Sequence, residues 1–281
     1  MNQAGSPIAV RSAAERSLLP PSAGNLNVPN PARVYDALLG GKDNFAADRR
    51  LADALAAAKP AIRHNVRANR AYLGRVVRYL AREAGIRQFI DLGTGLPSLD
   101  NTHEVAQRVA PESRIVYVDN DPIVIAHARA MLIGSRAGAT GYLRADIRDP
   151  GPILEQSART LDFERPVAVL LLGVLYTIPA AGRPYDTVAA YLKAAAPGSY
   201  LAISHPASDI DAESAAEAAR HYGRSMPTTQ TNRTRAEVGR FFDGLELVEP
   251  GVVQLNKWRP DPGDVDPGIE ISGWAGLGRK R

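Results

Sequence analysis

The sequence predicts an α/β fold: a doubly wound sheet of seven mostly parallel strands, preceded by an N-terminal helical cap. Two observations support this prediction. From Gly85 onward, strand-like and helical segments alternate, which is typical of a parallel sheet with helices on both faces. The apolar runs PVAVLLLGV and RIVYVD have no polar side, as expected for central strands that are covered on both faces.

The composition indicates an ordinary globular protein with one large domain. It has 281 residues, of which 45% are hydrophobic, enough for a sizeable core. The 34 Lys and Arg exceed the 30 Asp and Glu by only four charges, which does not indicate a nucleic-acid partner. The chain has no cysteine, which excludes disulfides and thiolate metal sites, and its 5 histidines show no metal-ligand spacing.

The N-terminal part divides into a tail and a helical cap. Residues 1–29 mix Ser, Pro, Gly and Asn without periodicity, and we expect a disordered tail. Charges interrupt each apolar run there before it reaches the length of a signal peptide or membrane span, so we expect a cytoplasmic protein without a membrane partner. Residues 30–85 predict helices on either side of Gly40 and Gly41 and a third helix that ends at Gly85. Val66, Leu73, Val77 and Leu80 of that helix share one face, with Arg67, Arg70, Arg75 and Arg78 toward other faces.

The core, residues 86–281, is predicted element by element from the same alternation. The five expected parallel strands are IRQFIDL, RIVYVDN, GYLRADI, PVAVLLLGV and SYLAIS. Helices are expected from about residue 101, in PIVIAHARAML, and near 152–159, 184–195, 209–222 and 234–242. LELVEPGVVQL and ISGWAGLGRK predict a closing hairpin, whose return strand can run antiparallel to the others.

Three acids are expected at the carboxyl ends of successive strands, where doubly wound sheets bind their ligands. Asp91 ends the first strand, Asp119 the second, 28 positions later, and Asp146 the third. A carboxylate at the second position can accept two ribose hydroxyls, and one at the third can receive an adenine amino group. Each acid also has a structural alternative: a turn at Asp91, a helix cap at Asp119 and a turn at Asp146.

The loop DLGTGLP after the first strand favours a cationic ligand over a polyphosphate. Gly93 and Gly95 allow a sharp turn and a close approach of the backbone to a ligand. Asp91 in front of them would repel phosphates, and Pro97 stands near the place of a third glycine. These features disfavour NAD and ATP. They suit a nucleoside with a sulfonium and an amino-acid tail, which is S-adenosylmethionine.

The stretches FIDLGTGLPS, RIVYVDNDPIVIAHARAML, RADIRDP and PVAVLLLGVLYTIP resemble class I, Rossmann-like S-adenosylmethionine-dependent methyltransferases. With ARVYDALLGGKDNFAADR, NRAYL, GSYLAISH and LVEPGVVQLNKWRP, the chain is most similar to the bacterial S-adenosyl methyltransferase family, whose substrates are largely unassigned. The similarity runs from about Pro31 to the C-terminus. Proline in the cofactor loop is expected in this family.

The resemblance implies roles for individual residues. Asp91, Gly93 and Gly95, with Thr94 between them, would surround the methionine portion of the cofactor; Asp119 would hold the ribose and Asp146 the adenine, which Asn120 and Ile147 would flank. Gly173 would line the methyl-donor pocket and the substrate entrance. Tyr176 and His205 are the candidate catalytic residues, His205 as a general base. Ordinary packing for Tyr176 and a structural role for His205 are the alternatives.

A separate polar segment, VYDALLGGKDNF, predicts a lid over the site. The candidate residues are Tyr35, Asp36, Gly40, Gly41, Lys42, Asn44 and Phe45. The alternative is a helix C-cap followed by an N-cap at Asp43 or Asn44. Arg67 and Arg70 could bind an anionic substrate, although solvated arginines on a helix face are more usual.

We therefore expect a methyltransferase that uses S-adenosylmethionine, yields S-adenosylhomocysteine and acts on a small molecule. Alignment alone can lower much of the barrier to methyl transfer, so no catalytic base is required. A non-catalytic regulatory module that binds the same cofactor is the alternative. An NAD-dependent oxidoreductase is disfavoured by the acid-led loop, and the sequence leaves a homodimer open.

Overall fold

The computed structural model describes residues 26–131, 134–226 and 230–281. Most of the expected N-terminal tail lies outside these ranges. The cap begins with α1 (Pro31–Leu39), α2 (Ala46–Ala58) and α3 (Ile62–Arg82), as predicted. Asn30 caps α1 by accepting hydrogen bonds from the backbone N–H groups of Ala32 and Arg33, and Gly40 ends it in a left-handed conformation.

The sheet has eight strands among the described residues: β1 (Gln88–Leu92), β2 (Arg114–Asp119), β3 (Ala139–Arg144), β4 (Ala168–Leu172), β5 (Tyr200–Pro206), β6 (Glu246–Leu247), β7 (Val253–Gln254) and β8 (Gly273–Arg279). Their order is β3-β2-β1-β4-β5-β8-β6, and β7 also pairs with β8. β1 to β5 are parallel, and β8 is antiparallel to β5. The mostly parallel α/β prediction is confirmed.

The strand count differs by one because the segment LELVEPGVVQL forms two short strands. Pro250 has no N–H to give to a ladder, and Gly251, at φ 80°, donates to the carbonyl of Val248 at 2.9 Å. This turn separates β6 from β7. Two other strand ends also differ from the prediction: β3 stops at Arg144, so Asp146 lies in the following loop, and β5 continues through His205.

Helices cover both faces of the sheet: α4 (Thr102–Val109), α5 (Pro122–Met131), α6 (Pro150–Ser157), α7 (Pro184–Ala194), α8 (Ala212–Ser225) and α9 (Arg235–Gly239). Short 3₁₀ turns occur at Leu175–Thr177, Ala180–Gly182, Arg240–Phe242 and Leu255–Lys257. In the described ranges, no helix has both the length and the apolar character needed to cross a membrane.

Helix α3 packs on the sheet with the predicted face. Val66, Leu73, Val77 and Leu80 are all buried. Arg75, expected on another face, is 3% exposed because residues 255–264 cover it. Its guanidinium donates to the carbonyls of Leu255 and Trp258 at 2.7 and 2.8 Å. Helical periodicity could not show this, since the covering segment is distant in sequence.

A smaller apolar cluster joins the first two helices to α8. Val34 and Leu38 of α1 and Leu55 of α2 pack with Ala218 and Tyr222 of α8. The cap thereby closes over the carboxyl edge of the sheet and walls a chamber beside β5.

Candidate active site

A polar cleft with a cavity volume of about 320 Å³ lies at the carboxyl ends of the parallel strands. The structure brings together in its lining all nine residues predicted to bind the cofactor: Asp91, Gly93, Thr94, Gly95, Asp119, Asn120, Asp146, Ile147 and Gly173. They come from four strand ends that are separated in sequence by up to 82 positions (173 − 91). Their convergence follows from the sheet order, which places β1 between β2 and β4.

The loop after β1 requires its glycines. Gly93 and Gly95 have φ values of 76° and 68°, and a Cβ at Gly93 would lie 2.3 Å from Val174 Cγ2. Arg70 fixes the far end of this loop by donating from Nε and Nη2 to the Leu99 carbonyl, at 2.9 and 2.6 Å. Arg70 therefore holds the loop, and this differs from the suggestion that it receives an anionic substrate.

Asp91 lies beneath the loop as a buried carboxylate. It is 4% exposed and accepts a hydrogen bond from Thr102 Oγ1 at 2.6 Å. Burial raises the pKa of Asp91 to about 6, although the Thr102 hydrogen bond and the Arg70 charge act in the opposite direction. At neutral pH the carboxylate is mostly ionised, so the cleft carries negative charge where a cationic ligand would be expected.

Asp121, and not Asp119, caps helix α5, so the Asp119 carboxylate is left to face a ligand in the cleft. Asp121 Oδ1 accepts from the backbone N–H of Ile123 at 2.7 Å, at the start of α5. The Asp119 carboxylate accepts backbone hydrogen bonds from Gly95 to Oδ2 at 3.0 Å and from Asp121 to Oδ1 at 2.9 Å, and the backbone N–H of Asn120 also interacts with it. A carboxylate has about four lone-pair sites, so these bonds leave acceptor capacity for a ribose hydroxyl. Burial raises the pKa of Asp119.

Asp146 both forms a turn and lines the cleft. Its carboxylate accepts hydrogen bonds from the backbone N–H of Arg148 at 2.9 Å and from the Arg148 guanidinium. The hydrogen bond to that guanidinium is the main cause of the lowered pKa of Asp146. Ile147 and Asn120 line the cleft with it. The turn and the ligand roles are therefore compatible.

An apolar chamber with a cavity volume of about 130 Å³ adjoins the polar cleft. The two share five lining residues: Pro31, Tyr35, Asn69, Gly173 and Tyr176. Apolar side chains of α1, α2, α3 and α8 form much of the rest of the chamber wall: Val34, Leu38, Leu55, Ile62, Val66, Ala215, Ala218 and Tyr222. A molecule in the chamber would thus lie next to a ligand in the cleft.

Hydrogen bonds fix the boundary between the cleft and the chamber. Asn69 Nδ2 donates to the Tyr35 hydroxyl at 3.0 Å, and Ser204 Oγ donates to Asn69 Oδ1 at 2.5 Å. A Cβ at Gly173 would lie 3.3 Å from Asn69 Nδ2. The sequence contained a signal for Asn69 that the site prediction did not use: it falls on the same helical face as Val66 and Leu73, so it is a polar residue in an apolar stripe.

The two candidate catalytic residues, Tyr176 and His205, differ in their protonation and in their hydrogen bonds. Burial raises the pKa of Tyr176 well above 10, so its hydroxyl stays protonated at the shared boundary. His205, expected after β5, lies within it and is 2% exposed. Its Nδ1 is 2.9 Å from the Pro206 carbonyl, and its Nε2 is 2.7 Å from Arg233 Nη1. Both ring nitrogens are occupied, so His205 has no free nitrogen to act as the expected general base.

Burial beside Arg233 keeps His205 neutral. The Arg233 guanidinium also donates to the carbonyls of Leu175 and Ile178, at 3.0 and 2.8 Å, which ties the segment after β4 to β5. Burial, with the Arg233 charge acting in the same direction, lowers the pKa of His205 to about 4, while Glu237 and the Pro206 hydrogen bond oppose the shift. His205 thus positions the wall that carries Tyr176.

We expect His205→Gln to change the pH dependence of the unfolding free energy, because it removes the buried neutral imidazole. Below about pH 6.5 the unfolded chain takes up a proton at His205 before the folded chain does, so wild-type stability falls. Between pH 7 and 5 the wild type should lose about 2 kcal/mol of unfolding free energy relative to His205→Gln. Urea unfolding at pH 7 and at pH 5 measures the unfolding free energy of both proteins. Asp91 titrates in both proteins, so its contribution cancels in the comparison. The exposed His64→Gln is the control; equal pH dependence in wild type and His205→Gln would contradict the assignment.

The GGKDNF segment forms a helix-to-helix turn. Gly40 has φ 85°, and a Cβ at Gly41 would lie 2.0 Å from Asp36 Oδ1. The Asp36 carboxylate accepts from the Asp43 backbone N–H at 3.0 Å and from Asn44 Nδ2 at 2.8 Å. These contacts account for both glycines and support the alternative of a helix cap.

The cap of α2 is one residue later than that alternative placed it. Phe45, not Asp43 or Asn44, is the N-cap, and its backbone N–H donates to the Asp48 carboxylate at 2.8 Å. Of the predicted lid residues, only Tyr35 lines the polar cleft and the chamber; the others, Asp36, Gly40, Gly41, Lys42, Asn44 and Phe45, line neither. Arg67 is exposed and also lines neither.

The fold and this site define a Rossmann-like protein of the class I methyltransferase type. The chain belongs to the S-adenosyl methyltransferase family, whose model matches residues 21–281. Its cofactor is S-adenosylmethionine. Among solved structures it is similar to a DUF574 family protein from Streptomyces avermitilis MA-4680, with 41% identity, a TM-score of 0.88, and coverage of 92% of this chain and 100% of the other.

It is also similar to a protein from Thermobifida fusca YX that is regarded as a methyltransferase. The identity is 45%, the TM-score is 0.85, and the alignment covers 93% of this chain and 98% of the other. A search of curated proteins found no significant match.

Proposed function

We propose that this protein transfers the methyl group of S-adenosylmethionine to a small-molecule acceptor bound in the apolar chamber. The observation that carries this proposal is the junction of a polar cleft, lined by all nine predicted cofactor residues, with an apolar chamber. The cavity volume of about 130 Å³ restricts the acceptor to a small molecule.

The residues of the polar cleft fit the cofactor. Three glycines at positive φ (Gly93, Gly95 and Gly173) leave room for close approach to the backbone, and Asp119 offers two acceptor oxygens for the ribose. Asp91 places negative charge beside the glycine loop, where the cationic methionine portion would bind. When bound, S-adenosylmethionine supplies an electrophilic methyl group on a sulfonium.

The side chains at the boundary can align an acceptor, and none is poised to take its proton. The Tyr176 hydroxyl remains protonated and forms a side-chain hydrogen bond with Tyr222, so it lines the boundary without serving as a base. The network of Tyr35, Asn69 and Ser204 holds the opening rigid. The Arg233–His205 pair fixes the segment that carries Tyr176. Catalysis by alignment in a desolvated chamber is the mechanism that this arrangement supports best.

A turnover assay tests this proposal. The purified protein is incubated with methyl-labelled S-adenosylmethionine and a panel of phenols, carboxylic acids and amines, and S-adenosylhomocysteine and labelled products are quantified. We expect a labelled product with acceptors that fit the chamber, and much less of it with Asp119→Ala when the cofactor is subsaturating. Tight S-adenosylhomocysteine binding without turnover across the panel would contradict the enzymatic proposal and favour the non-catalytic binding module.

A further inference from the structure

The apolar chamber contains a buried lysine that the cofactor site does not use. Lys59, directly after α2, is 6% exposed and lines the chamber. Its Nζ donates to Ser272 Oγ at 2.7 Å, and that hydroxyl donates onward to the Ile210 carbonyl at 3.0 Å. An ammonium has three N–H donors, so this contact does not satisfy the group.

The rest of the chamber offers this lysine no balancing charge. No Asp or Glu is among the described residues that line it, and His205, the other titratable base there, is neutral. Burial lowers the pKa of Lys59, and Asp211 opposes that shift only through its charge. A buried cation without a close counter-ion is unfavourable, and an anionic ligand would relieve the cost.

The strand order separates Lys59 from the methyl-transfer boundary. The backbone N–H of Gly173 donates to the Ser204 carbonyl, and that of Ala207 donates to the Ser272 carbonyl, at 3.0 and 3.2 Å. Gly173 thus neighbours β5 from the β4 side, whereas Ser272, which holds Lys59 Nζ, neighbours β5 from the β8 side and three residues further along. This placement suits an anchor at the other end of the chamber and not a base at the reacting atom.

We propose that Lys59 binds an anionic group, such as a carboxylate, on the methyl acceptor, at the end of the chamber away from the atom that receives the methyl group. This inference rests on the proposed function and assigns its substrate class: a mostly apolar molecule with one acidic group remote from its nucleophile. Ser272 orients the ammonium, and the apolar walls of α1, α2 and α8 hold the rest of the molecule.

The test compares charged and neutral probes of one shape. Phenylacetate, 4-phenylbutyrate and 6-phenylhexanoate, with their primary amides, are titrated calorimetrically into wild type and Lys59→Met, with and without S-adenosylhomocysteine. We expect wild type to bind at least one carboxylate about tenfold or more tightly than its amide, and Lys59→Met to lose that preference while its amide affinity is retained. Lys59→Arg should keep the preference, and the exposed Lys193→Met is the matched control.

The outcomes separate this inference from the proposed function. An equal affinity for acids and amides in wild type, or a preference that persists in Lys59→Met, would overturn the role of Lys59. Failure of wild type to bind S-adenosylhomocysteine would instead count against the proposed function, because the probe preference is also measured without it. Thermal unfolding midpoints show whether the variants are folded, and Lys59→Arg supplies the comparison if Lys59→Met is not.

Discussion

Asp119→Ala is expected to weaken S-adenosylhomocysteine binding by about 100-fold, because the buried carboxylate proposed to accept the ribose hydroxyls would be lost. The same carboxylate receives the backbone N–H of Gly95, so its removal also loosens the glycine loop. Isothermal titration of the purified protein with S-adenosylhomocysteine measures the change. NAD in the same experiment should give no comparable heat.

Two further variants test whether the loss of affinity is specific to the Asp119 carboxylate. Asp119→Asn keeps one acceptor oxygen and should weaken binding by about tenfold. Asp243→Ala removes an exposed carboxylate outside the cleft and should leave the affinity unchanged. Wild-type affinity in Asp119→Ala would remove Asp119 from the cofactor site, and clear NAD binding in its place would revive the oxidoreductase alternative.

The sequence predicted the fold well because periodicity and strand ends report on local structure. The helices α1 to α3, the five parallel strands and the antiparallel β8 are confirmed. The convergence of Asp91, Asp119 and Asp146 on one cleft follows from the parallel sheet, because carboxyl strand ends meet at one edge. The extra strand was missed because a two-residue strand has too short a pattern to detect.

The chamber could not be predicted in the same way because its walls come from segments distant in sequence. Lys59 contacts Ser272, which is 213 positions away, and His205 contacts Arg233 across 28 positions. No local pattern shows that His205 has both nitrogens occupied. The Gly40–Gly41 pair illustrates the opposite error: its polar surroundings suggested a lid, yet the close Asp36 carboxylate gives the glycines a local reason.

Gly93→Ala is the second substitution with a large expected effect, a loss of about 2–5 kcal/mol of unfolding free energy. Two costs combine: a side chain at φ 76° costs about 1–2 kcal/mol, and the new Cβ would lie 2.3 Å from Val174 Cγ2. Because Val174 directly follows Gly173, we also expect the junction with the chamber to shift and the affinity for S-adenosylhomocysteine to fall. Urea unfolding and calorimetric titration measure the two effects.

Substitutions at two other glycines separate the conformational cost of Gly93→Ala from its steric cost. A Cβ at Gly95, at φ 68° in the same loop, would have Ala32 Cβ as its nearest neighbour, at 4.0 Å. Gly95→Ala should therefore cost only the conformational part, about 1–2 kcal/mol. Gly40→Ala, at φ 85° with open space and outside the cleft, should cost a similar amount without changing ligand affinity. If Gly93→Ala were no more destabilised than these two, the Val174 contact would not be what requires glycine at this position. The loop would then be shaped by backbone conformation alone.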